Sequence, residues 1–263
     1  VAGHHASDVR AEGDHAGAGD QVDPDLVTIG QAQGLRGGGR DPGGGPRRGA
    51  RQEGLPVLHG ALVEQVPPGR QHQVTIGHLM LDITSKAAEL AKVNPPIRPR
   101  EDVEFLWEAL LAGELDWVVS DHACCRHEMK IPKRYFGNIW MAKSGFGGTE
   151  YLLPALVSEC TKRGMGYNHM ARVTSWNPAQ RYGLNRKGDI APGLDADLAL
   201  VDPARTWTIH AKDSPSTQGY TPFEGLEMSA RVEETYLRGQ LIYDHARGVV
   251  GKPIGQYLHR PTA

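Results

Sequence analysis

The stretch that decides the fold is Asp116-Trp117-Val118-Val119-Ser120-Asp121-His122-Ala123-Cys124-Cys125. Its residues 117–120 are apolar or small and lack polar alternation, a pattern typical of a strand buried on both faces. Side chains at the carboxyl ends of parallel barrel strands line active sites, so Asp121 is a candidate for chemistry. A capping role after the strand is the structural alternative for Asp121.

A helix and a second strand precede this stretch. Residues 74–81 predict a short strand whose far end carries His78, and a histidine in such an apolar setting is more often an ordinary core residue than a ligand. Residues 101–113 predict an amphipathic helix that begins with acidic residues and ends at Gly113. Strand, helix and buried strand in this order indicate an α/β fold. The apolar stripe of the helix consists of Val103, Leu106, Trp107, Leu110 and Leu111.

Two irregular segments flank the same strand. In residues 91–99, paired prolines predict an extended exit from a strand, with Asn94 at its mouth, although an ordinary proline-rich connection fits equally well. Residues 144–148 form a glycine cluster that lacks the spacing of a phosphate-binding loop. Helices are predicted from Thr149 to about Arg163, over residues 168–176 and over residues 178–182.

The hydrophobic period changes to two from Lys187 onward. This pattern predicts a turn and then a strand that ends near Val201. Further strands are predicted at 207–210, 231–238 and 240–243. The last two strands are joined tightly at Gly239. We therefore expect a small β unit over residues 187–263, attached to the α/β unit of residues 74–186.

The composition of the whole chain excludes several classes of protein. It has 263 residues, a net charge of -2 and a pI near 6.7, so we expect neither a nucleic-acid nor a membrane partner. There is no basic-then-apolar signal peptide, and the chain does not begin with Met. Three cysteines without a Cys-x-x-Cys pattern favour a reducing cytoplasm.

Residues 1–73 differ from the rest of the chain. They hold about half of the 33 glycines and contain no Phe, Trp, Tyr, Lys, Met or Asn. A disordered segment is one interpretation. The other is an out-of-frame translation of a GC-rich gene, because most of the missing residue types need A/T-rich codons. Resequencing the 5′ end of the gene would distinguish them.

The order of several motifs resembles the cyclic amidohydrolases, which include allantoinases, dihydroorotases and hydantoinases (dihydropyrimidinases). The resemblance covers about residues 74–244. The motifs that carry it are Asn94-Pro95-Pro96-Ile97-Arg98, Leu106-Trp107-Glu108, Ser120-Asp121-His122, Asn177-Pro178-Ala179, Lys187-Gly188, Ile190-Ala191-Pro192-Gly193, Asp195-Ala196-Asp197 and Leu237-Arg238-Gly239.

The resemblance implies an α/β fold with a partial (β/α)8 TIM-type barrel, made of its carboxyl-terminal strands, and a small β-sandwich. It also implies a divalent metal centre, zinc in many members, at the strand ends. His78 matches the strand-six histidine and Asp121 the strand-eight aspartate among the family's metal ligands. A hydroxide formed on the metal would attack a ring amide, with Asp121 moving the proton to the leaving nitrogen. The intact family is expected to form homo-oligomers.

The resemblance also suggests a substrate, a small cyclic amide or ureide. Asn94, Cys125, Ser144 and Gly145 match substrate-binding positions. Dihydroorotase-like sequences carry a histidine at the position of Cys125, where allantoinases often carry cysteine. Allantoin, hydrolysed to allantoate, is therefore the expected substrate, with dihydroorotate and hydantoins or dihydropyrimidines as alternatives.

The family's His-x-His pair and bridging lysine are missing upstream of Val74. His4 and His5 are adjacent, residues 1–73 contain no lysine, and His59 lies too close to His78 for a separate βα unit. We therefore expect poor metal binding and little or no turnover from this chain. A truncated, non-catalytic scaffold that keeps the fold for assembly is the alternative of another class.

Overall fold

Two short parallel strands lie at the centre of the α/β part of the protein. In this computed structural model, which describes residues 27–29 and 72–259, β2 (Gln73–Thr75) pairs with β3 (Trp117–Val119). Val74 lies opposite Val118, and both are buried. The chain between them forms helix α1 (Ile76–Met80), a 3-10 turn (Ala88–Ala91) and helix α2 (Arg100–Leu111). Because the strands are parallel, their carboxyl ends meet at one edge.

Helix α2 covers one side of this strand pair. Two acidic residues in its first turn interact favourably with the positive amino end of the helix dipole. Gly113 follows the carboxyl end of the helix with a φ of +75°. The Trp107 indole N–H donates to the Leu79 carbonyl at 2.8 Å, which ties α2 to α1. The guanidinium of Arg163 lies 4.7 Å from the centre of the Trp107 ring. The buried face of the helix consists of Val103, Leu106, Trp107, Ala109 and Leu110.

The chain after β3 is mostly irregular until helix α4 (Leu152–Arg163). One short helix, α3 (His127–Lys130), and three 3-10 turns precede α4, whose residues 155–157 are fully buried. After α4 come helix α5 (Tyr167–Ala171), a π-helical turn (Arg172–Trp176) and helix α6 (Asn177–Arg181). The 3-10 turns are Lys133–Tyr135, Ile139–Met141 and Thr149–Tyr151.

The carboxyl-terminal residues form an antiparallel sheet. In spatial order, its strands are β1 (Val27–Ile29), β4 (Leu198–Asp202), β7 (Arg231–Leu237), β8 (Gln240–Asp244) and β9 (Gly248–Val249). Strand β1 comes from far upstream in the chain and pairs with β4. A separate two-stranded ribbon consists of β5 (Trp207–Thr208) and β6 (Glu227–Met228).

Most element predictions agree with the structure, but two are wrong. The predicted helices over 101–113 and 149–163 and the strands after Lys187 are confirmed within a few residues. Residues 74–81 are not one strand, because the chain enters α1 at Ile76. There the Thr75 hydroxyl accepts from the His78 amide at 3.2 Å and caps the helix. Asn94 does not end a strand either, since residues 92–99 are irregular.

The predictions for residues 1–73 fall almost entirely outside the described residues. Those for the glycine-rich run at 37–48 and for His4, His5 and His59 stay predictions. The described residues contain one parallel strand pair, so the larger barrel and the β-sandwich also stay predictions. Within the described part of the chain, no helix is long and apolar enough to cross a membrane.

Candidate functional site

His78 lies in α1, directly after β2, and is 6% exposed. Its Nε2 lies 2.9 Å from the carbonyl oxygen of Pro95, which can only accept, so Nε2 carries the proton. Nδ1 lies 2.6 Å from the Thr75 hydroxyl, which therefore donates to it. Burial lowers the pKa of His78, which favours the neutral ring, and in the neutral ring these two bonds select the tautomer protonated at Nε2.

Asp121 lies just beyond the end of β3 and is exposed. Its φ of 49° is in the left-handed region, which Asp and Asn adopt more readily than most residues. Asp121 does not cap a following helix, because α3 begins only at His127. Burial lowers the pKa of His78, while the Pro95 hydrogen bond and then the charge of Asp121 raise it. The two side chains are thus within electrostatic reach of each other.

The described residues do not fit the metal centre that the family implies. Among residues 27–29 and 72–259, no three His, Cys, Asp or Glu side chains come together in a group able to hold a metal ion. Both His78 ring nitrogens are already hydrogen-bonded, so neither offers a lone pair without breaking a bond. A bound metal would need ligands from elsewhere and a rearranged His78.

The glycine cluster lies against the segment that follows Asp121. The Ala123 amide donates to the Phe146 carbonyl at 3.0 Å, and the His122 Nδ1 accepts from the Gly148 and Thr149 amides, both at 3.2 Å. A Cβ at Gly147 would lie 2.6 Å from Oε1 of Gln218 and 2.9 Å from Cε1 of His122. Any larger residue at this position would therefore have to displace the Gln218 and His122 side chains.

Four predicted substrate-binding residues lie on the loops joined in this way. Asn94 and Ser144 are exposed, Cys125 is partly buried and Gly145 is buried. The Gly145 amide donates to the Lys92 carbonyl at 2.9 Å, which brings the Asn94 segment to the glycine cluster. Cys125 lies beside Tyr220, whose pKa is raised by burial and further by the Cys125 thiol.

Sequence reasoning missed Lys130, which is fully buried. Its ammonium donates to the carbonyls of Lys92 at 2.9 Å and Gly145 at 2.7 Å. Burial lowers its pKa from 10.5 to about 8, Cys125 opposes this shift and Lys92 adds to it. The sequence gives no sign of this burial, because lysine is almost always exposed.

This pKa predicts a pH-dependent stability. Between pH 8 and 10.5 the unfolded chain still holds the Lys130 proton while the native state has released it, so the free energy of unfolding rises with pH. We expect a gain of about 2 kcal/mol that is absent from Lys130→Met. The measurement is urea unfolding from pH 7 to 10.

The quantity to compare is the difference in the free energy of unfolding between the unmodified protein and Lys130→Met. Burial raises the pKa of Cys160 to about 12, which opposes the gain above pH 9 in both proteins and cancels in the difference. Unfolding free energies that run parallel over this range would contradict the prediction.

Comparisons with known proteins identify the family of this chain and agree with its α/β fold. Residues 71–242 match the model of the amidohydrolase family, and the chain belongs to that family. It is 38% identical over 170 residues to an allantoinase of Salmonella newport (strain SL254), covering 64% of this chain and 36% of the relative. The chain thus spans about a third of the length of the curated relatives it matches.

Solved structures of hydantoinases are also similar to this chain. A D-hydantoinase (dihydropyrimidinase) from Thermus sp. superposes with a TM-score of 0.66 at 29% identity, over 72% of this chain and 43% of that one. An L-hydantoinase (dihydropyrimidinase) from Arthrobacter aurescens gives a TM-score of 0.63 at 26% identity, over 68% and 40%. The predicted resemblance to cyclic amidohydrolases is confirmed.

Proposed function

We propose that this chain contributes one side of a cyclic amidohydrolase site that cuts a ring C–N bond and converts allantoin to allantoate. The observation that carries the proposal is the parallel pairing of β2 with β3. This pairing brings His78 and Asp121 to neighbouring strand ends, where the charge of one acts on the other. In α/β barrels this rim is where catalytic side chains lie.

The residues of the chain have separate roles in this proposal. The exposed Asp121 carboxylate takes the proton of the attacking water and delivers it to the leaving ring nitrogen. His78 acts through Pro95, because its Nε2–H donates to that carbonyl beside Asn94. The substrate ring contacts Asn94, Ser144, Gly145 and Cys125.

Allantoin is favoured over other rings by Cys125, which stands where dihydroorotase-like sequences carry a histidine. The 38% identical Salmonella relative is named an allantoinase, whereas the solved neighbours are hydantoinases. The same proposal includes the division of the chain into residues 1–73, 74–186 and 187–263, and a cytoplasmic location. It also includes zinc as the metal of the intact family.

A substrate panel tests the proposal. The purified chain is incubated with allantoin, dihydroorotate and a hydantoin, with and without added zinc, and the ring-opened acids are quantified. Turnover of allantoin in excess of the other two supports the proposal. A preference for dihydroorotate or hydantoin would overturn the choice of substrate.

A non-catalytic scaffold is the second candidate. It is favoured by the absence of a three-ligand group among the described residues and by the occupied ring nitrogens of His78. Metal analysis of the purified protein and its mass in solution separate the candidates. Stoichiometric zinc with turnover would defeat the scaffold, whereas a metal-free, inactive homo-oligomer would support it.

A further inference from the structure

We propose that Lys130 is a positioning residue, which holds three loops together and so fixes the Asn94 segment in the form that a substrate ring meets. The substrate part of this inference rests on the proposed function, whereas the joining of the loops does not. The first loop carries Asn94, the second follows β3 and carries Cys125, and the third is the glycine cluster with Ser144 and Gly145.

Four hydrogen bonds at Lys130 and its neighbours join these loops. The Lys130 ammonium donates to the Lys92 and Gly145 carbonyls at 2.9 and 2.7 Å. The Gly145 amide donates to the same Lys92 carbonyl at 2.9 Å, and the Lys143 amide donates to the Lys130 carbonyl at 2.8 Å. Each loop is thus bonded to the other two through one side chain and its immediate neighbours.

The burial of Lys130 points to a role beyond filling space. Removing an ammonium from water is unfavourable, and an apolar side chain of similar volume fills the same space without that penalty. Main-chain carbonyls are the acceptors that the structure gives this ammonium, and the Phe146 ring lies 6.0 Å away. The Lys130 ammonium has three donors and reaches carbonyls on two different loops at once, which an apolar side chain cannot do.

The Asn94 segment is consequently held on both sides. Lys130 binds the Lys92 carbonyl before Asn94, and His78 Nε2 binds the Pro95 carbonyl after it. Asn94 itself is exposed between these two fixed carbonyls. A segment whose main chain is anchored in this way loses less freedom when it meets a ligand, which is the usual benefit of preorganisation.

Hydrogen exchange of Lys130→Met in the full chain tests the joining of the loops. We expect exchange in peptides covering 90–95 and 143–148 to become about tenfold to a hundredfold faster, because the bonds that close these loops are lost. Exchange in α2 (residues 100–111) should be unchanged. The control is Lys143→Met, which removes an exposed lysine from the same loop and keeps all four bonds, so it should exchange like the unmodified protein. Unchanged exchange at 143–148 in folded Lys130→Met would overturn the inference.

A second measurement needs no variant and applies even where Lys130→Met fails to fold. In protein labelled with ¹⁵N-lysine and ¹³C at the carbonyls, Lys130 should give an Nζ–H signal in slow exchange with water, coupled to the carbonyls of Lys92 and Gly145. A rapidly exchanging Nζ for every lysine would overturn the inference.

The role of Lys130 toward the substrate is tested separately, by steady-state kinetics. If the unmodified chain turns over allantoin, Lys130→Met should raise KM about tenfold and leave kcat within a few-fold, since the loops that meet the ring are no longer preorganised. An unchanged KM would overturn the role toward substrate. If the unmodified chain is inactive, the proposed function fails, and the exchange data still decide whether Lys130 joins the loops.

Discussion

Asp121→Asn should lower whatever rate of ring hydrolysis the unmodified chain shows by a factor of about 10² to 10⁴, the range that a positioned acid–base group contributes. The amide keeps the shape of the carboxylate but can neither take a proton from water nor return it to nitrogen. Asn also tolerates the left-handed backbone that Asp121 adopts at φ 49°, so the fold should be retained. The measurement is kcat for allantoin.

Asp213→Asn is the matched control, because it makes the same chemical change at an exposed residue outside this rim. It should leave kcat unchanged. A kcat for Asp121→Asn within threefold of the unmodified protein would remove Asp121 from the proposed chemistry.

Trp107→Ala should lower the free energy of unfolding by about 3 to 5 kcal/mol, which is the usual cost of emptying a buried aromatic site. Trp107 is 1% exposed, and its indole N–H satisfies the Leu79 carbonyl. Its loss leaves a cavity between α1 and α2 and an unpaired carbonyl at the end of the helix that carries His78. Urea unfolding, followed by circular dichroism, gives the change.

Trp140→Ala provides the comparison, because Trp140 is 84% exposed. This variant should change the free energy of unfolding by no more than about 0.5 kcal/mol. Equal losses in the free energy of unfolding from Trp107→Ala and Trp140→Ala would contradict the burial of Trp107 in the packing of α2.

The sequence predicts the long elements well, for identifiable reasons. The helical spacing of Leu106, Trp107 and Leu110 agrees with only one secondary structure. The apolar run at β3 is short and rich in β-branched valine, and these two properties favour a strand. The β-branched and aromatic residues of β7 and β8, with the tight connection at Gly239, likewise favour two strands. These signals are local, so they do not depend on how the chain packs elsewhere.

The site is predicted only in part, since much of it depends on contacts between distant residues. Residues 76–80 are short and apolar, a pattern that fits strand or helix equally, and the Thr75 cap decides for helix. The burial of Lys130 depends on carbonyls that lie 38 and 15 positions away in the chain. Neither carbonyl leaves any mark on residue type, because every residue has one.

The pairing of β1 with β4 has a consequence for biosynthesis. Val27 leaves the ribosome before its partner Val201, because residues 28–200 lie between them in the chain. Strand β1 must therefore wait, unpaired, while these residues are synthesised. Such an open strand is a site where growing chains associate wrongly, so slower synthesis should increase the demand for chaperones.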